Sequence, residues 1–157
     1  MKILIPMAGE GSRFAKEGYT FPKPLIEVNG KPMIQAVVEN LDFDADYIFL
    51  VRKEHLEKYA GLRETLNRIT NNRTTIVEVD SLTEGAACTV LLAKKYIDND
   101  EDLLIANSDQ LIEYSSQNFN YLKNLTDLDA IVMCFNAVHP KWSFVKVNSR
   151  GIATEVA

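Results

Sequence analysis

The residues 47–51, Tyr-Ile-Phe-Leu-Val, form an apolar run with no polar alternation. A strand with one wet face alternates polar and apolar side chains. A run without alternation needs apolar cover on both faces, as a parallel sheet has between two layers of helices. Ile3–Ile5 reads as a buried first strand, Thr74–Val79 is rich in β-branched residues and reads as a third, and Asp102–Ala106 reads as a fourth. Between these runs lie helical stretches. Pro32 is expected at the first helical position of Met33–Leu41, after a turn at Asn29–Gly30 that follows a short strand at Ile26–Val28. Glu54–Ile69 has a helical period, with a break near Gly61 and a stripe at Leu56, Tyr59, Leu62, Leu66 and Ile69. Cys88–Ala93 and Ser115–Leu125 read as further helices. Asp129–Ala137 reads as a fifth strand, and Phe144–Val147 with Ile152–Val156 as a hairpin around Asn148–Gly151. Strands alternating with helices predict a single α/β domain over residues 1–157, a three-layer αβα sandwich on a mostly parallel sheet with right-handed crossovers. Ligands of such a sheet sit beyond the carboxyl ends of its strands.

One such end opens into the stretch Met7–Leu25, with Gly9 and Gly11, then Arg13, then Lys23 between Pro22 and Pro24. Glycines let the backbone approach a ligand closely, and successive N–H groups in such a turn make a concave anion site. Arg13 can grip a phosphate with its planar fork, and Lys23 adds a compact positive charge. The two prolines restrict the chain around Lys23 and so aim it at small entropic cost. Two common phosphate loops are excluded. No Gly-Lys pair followed by Ser or Thr occurs, and Phe14 stands where a dinucleotide fingerprint needs its third glycine.

Composition sets outer limits. With 46% hydrophobic and 25% charged residues the chain is that of an ordinary globular protein. A net charge of −5 argues against a nucleic-acid module that relies on overall basicity. No apolar run approaches membrane-spanning length, and the chain does not begin with a basic-then-apolar signal segment. Cys88 and Cys134 lack metal-ligand spacing and read as small core residues of a reducing compartment, which suggests the cytoplasm.

The loop resembles the signature of the sugar-phosphate nucleotidyltransferases, which make nucleoside-diphosphate sugars. The resemblance rests on Gly9-Glu10-Gly11-Ser12-Arg13-Phe14 and on Phe21-Pro22-Lys23-Pro24-Leu25. It implies a nucleotide-diphospho-sugar transferase fold, which is Rossmann-like, and a reaction between a nucleoside triphosphate and a sugar-1-phosphate or similar phosphorylated acceptor. In that reaction a phosphate oxygen attacks the α-phosphorus in line and pyrophosphate leaves, so catalysis is mainly positioning and charge neutralisation. Arg13 and Lys23 are the expected catalytic cations, with Ala8, Gly9, Gly11 and Ser12 around the phosphates.

Three further stretches match the family. Ser108-Asp109 follows a strand where members carry a metal-binding aspartate. Mg²⁺ is the implied cofactor, since it takes one or two carboxylates plus substrate phosphates. A carboxylate there also serves as a cap or turn residue. Thr83–Ala87 resembles the base-recognition turn, with Glu84, Gly85 and Ala86 facing the nucleotide. It reads equally as a helix start capped by Thr83 or Ser81, with Glu84 complementing the dipole. Trp142 and Ser143 stand where members line the acceptor pocket, although a lone Trp also serves as packing, and His139 reads as a loop histidine. Members carry a Glu-Lys pair and a second metal-binding aspartate further on, so the chain is expected to be the nucleotide-binding portion of a longer enzyme.

Two other readings stand beside this one. A non-catalytic nucleotide- or sugar-nucleotide-binding module of the same fold would bind without turnover. A glycosyltransferase would use an Asp-x-Asp metal motif at a strand end, but the match at Asp42-Phe43-Asp44 falls in a connection. No nucleic acid or membrane partner is expected, and the sequence is compatible with oligomerisation.

Overall fold

A computed structural model describes residues 1–9, 23–125 and 127–156. The chain forms two compact units, residues 1–112 and 113–157. In the first, strands β1 (Lys2–Pro6), β4 (Asp46–Arg52), β5 (Thr74–Val79) and β6 (Leu103–Ile105) make one sheet in the order β5-β4-β1-β6. Every pairing in it is parallel, with Ile3 opposite Tyr47 and Leu104, and Phe49 opposite Ile76. A small hairpin, β2 (Glu27–Val28) with β3 (Lys31–Pro32), turns at Asn29 and Gly30, both at positive φ (52° and 80°). That conformation is what an Asn-Gly pair favours.

The unbroken apolar runs do what double burial requires. On one face Ile3, Ile5, Tyr47, Phe49 and Val51 pack under helices α1 (Met33–Leu41), α2 (Lys53–Lys58) and α3 (Leu62–Ile69). On the other, Leu4, Ile48, Leu50 and Val79 meet Val90, Ala93, Tyr96 and Ile97 around α4 (Ala86–Leu91) and α5 (Lys94–Ile97). Successive residues point to opposite faces of a strand, so β1 and β4 each feed both layers. This is the three-layer αβα arrangement. Pro32 stands one position earlier than expected, as the residue before α1, with ψ at 141°. The break between α2 and α3 falls at Tyr59–Gly61, and Leu56, Leu62 and Leu66 keep their stripe buried.

The second unit holds α6 (Ser116–Lys123), capped by the Ser115 hydroxyl accepting from the Asn118 N–H, and a hairpin of β7 (Val145–Val147) and β8 (Ala153–Val156). The expected strand at 129–137 is absent among the described residues. The stretch joins no ladder, and Val132 and Phe135 are each 65% exposed. A β-branched, apolar composition expresses a preference that only a neighbouring strand can satisfy. Both cysteines are exposed, contrary to expectation. Thr89 and Ala93 are the buried positions around α4, so Cys88 falls off that face, and Cys134 lies in the unpaired stretch.

At the carboxyl end of β4, partial burial holds the His55 imidazole below the usual histidine range. The neighbouring Glu54 opposes that shift, while Arg52 and Lys58 add to it. The unfolded chain therefore takes up a proton that the folded chain resists. This stability is present above the ordinary histidine pKa and is lost as pH falls through the depressed one. Chemical denaturation of His55→Gln between about pH 7.5 and about pH 5 should show a flatter decline than the parent. An unchanged pH slope would remove His55 as its source.

Candidate functional site

At the carboxyl edge of the sheet lies a cavity of about 320 Å³. Three strand ends reach it. Pro6 to Gly9 leave β1, Leu82 and Thr83 follow β5, and Asn107 to Asp109 follow β6. The backbone of the first segment is held by the Met7 N–H donating to the Leu50 carbonyl at 2.8 Å, and that of the third by the Ala106 N–H donating to Leu4 at 3.0 Å. Lys23 and Pro24 enter from a short 3-10 turn over Lys23–Leu25, and Gly85, Ala86 and Thr89 from the start of α4. Its lining residues span more than a hundred positions of sequence.

The strongest electrostatic feature of the cavity is an ion pair between the Lys23 ammonium and the Asp109 carboxylate. The two side chains remain 30% and 28% exposed, so water reaches both. A solvated pair is opened at little cost, whereas a fully buried one is not. The cavity thus holds a cation against a carboxylate, with room beside it.

Ala8, Gly9, Lys23, Gly85, Ala86 and Asp109 all line this one cavity. Gly11, Ser12 and Arg13 lie outside the described residues, as does the whole stretch 10–22. Glu84 is exposed and is not among the lining residues. Trp142 and Ser143 belong to the second unit, where the Trp142 ring meets Phe135 edge-on at 5.1 Å and lies under the Lys141 ammonium at 4.7 Å. The His139 Nδ1 accepts from the Lys141 N–H at 3.1 Å, a local loop contact.

The start of α4 departs from the capping expectation. Gly85 is the residue before the helix, in extended conformation, and no side chain caps it. Thr83 instead donates to the Gly85 carbonyl (3.1 Å) and is hydrogen-bonded to the Thr89 hydroxyl (2.5 Å). A capping oxygen must stand at the N-cap itself, and Thr83 is two residues too early. Thr89 was not legible as a site residue, because in sequence it sits inside an apolar helical run. Among the described lining residues Thr83, Thr89, Asn107 and Ser108 carry the polar side chains besides the ion pair.

A divalent cation fits the donor set in one way. Among the described residues no group of three or more His, Cys, Asp or Glu side chains comes together. Asp109 is the one carboxylate among the described lining residues, already facing a cation in Lys23. Mg²⁺ bound through one carboxylate would complete its octahedron from ligand phosphates and water.

These features belong to a known class. The family model for nucleotidyl transferases matches residues 2–147, and the chain belongs to that family. Among its relatives is a bifunctional protein GlmU from Methanocaldococcus jannaschii, 29% identical over 119 residues, which are 76% of this chain and 27% of that protein. A mannose-1-phosphate guanyltransferase from Yarrowia lipolytica is 27% identical over 96% of this chain and 42% of its own length. The crystal structure of a nucleoside-diphosphate-sugar pyrophosphorylase from Vibrio cholerae superposes with a TM-score of 0.77 at 26% identity, covering 99% of this chain and 66% of that one. The chain thus spans well under half the length of these curated relatives, and it shares their nucleotidyltransferase fold.

Because the Lys23–Asp109 pair is solvated, Lys23→Met should cost under about 1 kcal/mol of folding free energy in urea denaturation. A loss of several kcal/mol would mean that the lysine holds the fold rather than waiting for a ligand.

Proposed function

We propose that this chain is the nucleotide-binding portion of a sugar-phosphate nucleotidyltransferase. It would transfer a nucleoside monophosphate from a triphosphate to a sugar-1-phosphate or similar acceptor, releasing pyrophosphate. The observation that carries the reading is the convergence of Gly9, Lys23, Gly85 and Asp109 on one cavity at the carboxyl edge of a parallel sheet. Family membership supports the reaction class.

In this reading the triphosphate lies over Ala8 and Gly9, where a backbone without bulky side chains lets oxygens approach N–H groups. Lys23 turns from Asp109 to the phosphates and neutralises charge that grows on the α-phosphate and leaving group. Arg13, with Gly11 and Ser12, grips the β- and γ-phosphates. Asp109 holds Mg²⁺, which when bound supplies further charge neutralisation on the phosphates. The base lies against Gly85 and Ala86, where small residues leave the backbone accessible, with Glu84 at its outer edge. Trp142 and Ser143 are assigned to the acceptor. The reading implies a cytoplasmic enzyme of nucleotide-sugar synthesis, with further acceptor-binding elements on a continuing chain. No described helix is long and apolar enough to cross a membrane.

The test is thermal stability with each common nucleoside triphosphate, with and without Mg²⁺, followed by pyrophosphate release with hexose-1-phosphates. A hundredfold excess over Kd stabilises by about 2.7 kcal/mol. One base should give a Mg²⁺-dependent shift. Lys23→Ala should lower kcat/KM by about a hundredfold, and Asp109→Asn should remove the response to Mg²⁺. A shift without turnover would favour a binding module. No shift with any triphosphate would overturn the nucleotide reading.

A further inference from the structure

The segment carrying Asp109 has two tethers. One is the Ala106 N–H bonded to Leu4, which continues the β1–β6 ladder. The other comes from Asn40, in the last turn of α1, which bonds Ile112 with both ends of its amide. The Nδ2 donates to the Ile112 carbonyl at 3.1 Å, and the Ile112 N–H donates to Oδ1 at 2.7 Å. The two residues are 72 positions apart in sequence. This side chain does for the segment what an adjacent strand would do, satisfying one donor and one acceptor of the same residue. Asp109 lies between the two tethers.

The other end of α1 governs Lys23. The Met33 N–H donates to the Ile26 carbonyl at 2.8 Å, and the Ile26 N–H donates to Lys23 at 3.2 Å. One nine-residue helix therefore anchors both the turn that carries the ammonium and the segment that carries the carboxylate.

We infer that Asn40 is a positioning residue for Asp109, fixing the carboxylate where a divalent cation must be held. The inference rests on the reading of Asp109 as the cation's protein ligand. The physical reason is stringency. Mg²⁺ and Mn²⁺ bind through near-octahedral geometry, and Asp109 is the one carboxylate among the described lining residues, so its placement bears directly on how the cation is held. Groups that orient a metal ligand without touching the metal commonly contribute tenfold or more to affinity. Sequence alone gives no sign of this role, since Asn40 reads as a polar residue near the end of an amphipathic helix.

The experiment uses the full chain and Mn²⁺ alone as the probe, following paramagnetic broadening of the backbone amide signals of Asn107 to Gln110. Asn40→Ala removes both hydrogen bonds and substitutes a better helix former, so the fold is expected to survive. Its Mn²⁺ midpoint should rise about tenfold, while amide signals in β4 and α3 keep their positions. Asn40→Gln keeps the amide on a longer stem and should fall between Ala and the parent, which provides a graded test even if Asn40→Ala folds poorly. Broadening that follows the parent curve in both variants would overturn the inference and leave Asn40 a purely structural contact. Asp109→Asn is run in parallel. Loss of broadening there supports the site, and with an unchanged Asn40→Ala curve it isolates the failure to Asn40. Persistence in Asp109→Asn would overturn the reading of the site itself, and the inference with it.

Discussion

Strand β1 is apolar contact on both sides for its whole middle. Ile3, Leu4 and Ile5 are fully buried, Leu4 facing one helical layer and its two neighbours the other. Nothing polar can be tolerated there, because each backbone group is already committed to β4 or β6. The strand can therefore meet a ligand only past its carboxyl end, where the buried Met7 and Ala8 line the cavity and Gly9 is exposed. Strands β5 and β6 run parallel to β1 in the same sheet, and the chain beyond them brings Thr83 and Asp109 to the same edge. The cavity is the place where the doubly buried strand β1 runs out of apolar cover.

The ion pair across that cavity has a matching logic. Lys23 and Asp109 come from distant parts of the chain, and neither is deeply buried. Their attraction is shared with water, so the pair is held by its scaffold more than by its own energy. That scaffold is α1, whose first turn is bonded to the stretch following Lys23 and whose last turn is bonded to Ile112. In the proposed function a ligand bearing phosphates and a cation would satisfy both partners together, the ammonium by phosphate and the carboxylate by metal.

How much of this was legible in the sequence depended on whether a signal was local. Unbroken runs such as Tyr47–Val51 declare their double burial, and Asn29-Gly30 declares its turn, because the cause lies within a few residues. The glycines, Lys23 and Ser108-Asp109 were legible as a motif, since their spacing along the chain carries the resemblance. Thr89 and Asn40 were not, because each acts through a partner set by the fold. The stretch 129–137 misled for the same reason in reverse. Its composition asks for a strand, and ladder formation depends on a neighbour that local sequence does not specify. Cys88 misled because its apolar neighbours hid which side of α4 faces the sheet.

The most direct test of the account is amide hydrogen exchange on the whole chain, with and without a nucleoside triphosphate and Mg²⁺. Exchange reports backbone protection residue by residue, independently of turnover. The account predicts slowed exchange in three separated segments at once, Ala8–Gly9, Thr83–Thr89 and Asn107–Asp109, with little change in the β7–β8 hairpin. Protection confined to the hairpin, or to only one of the three segments, would contradict a single nucleotide cavity at the sheet's carboxyl edge.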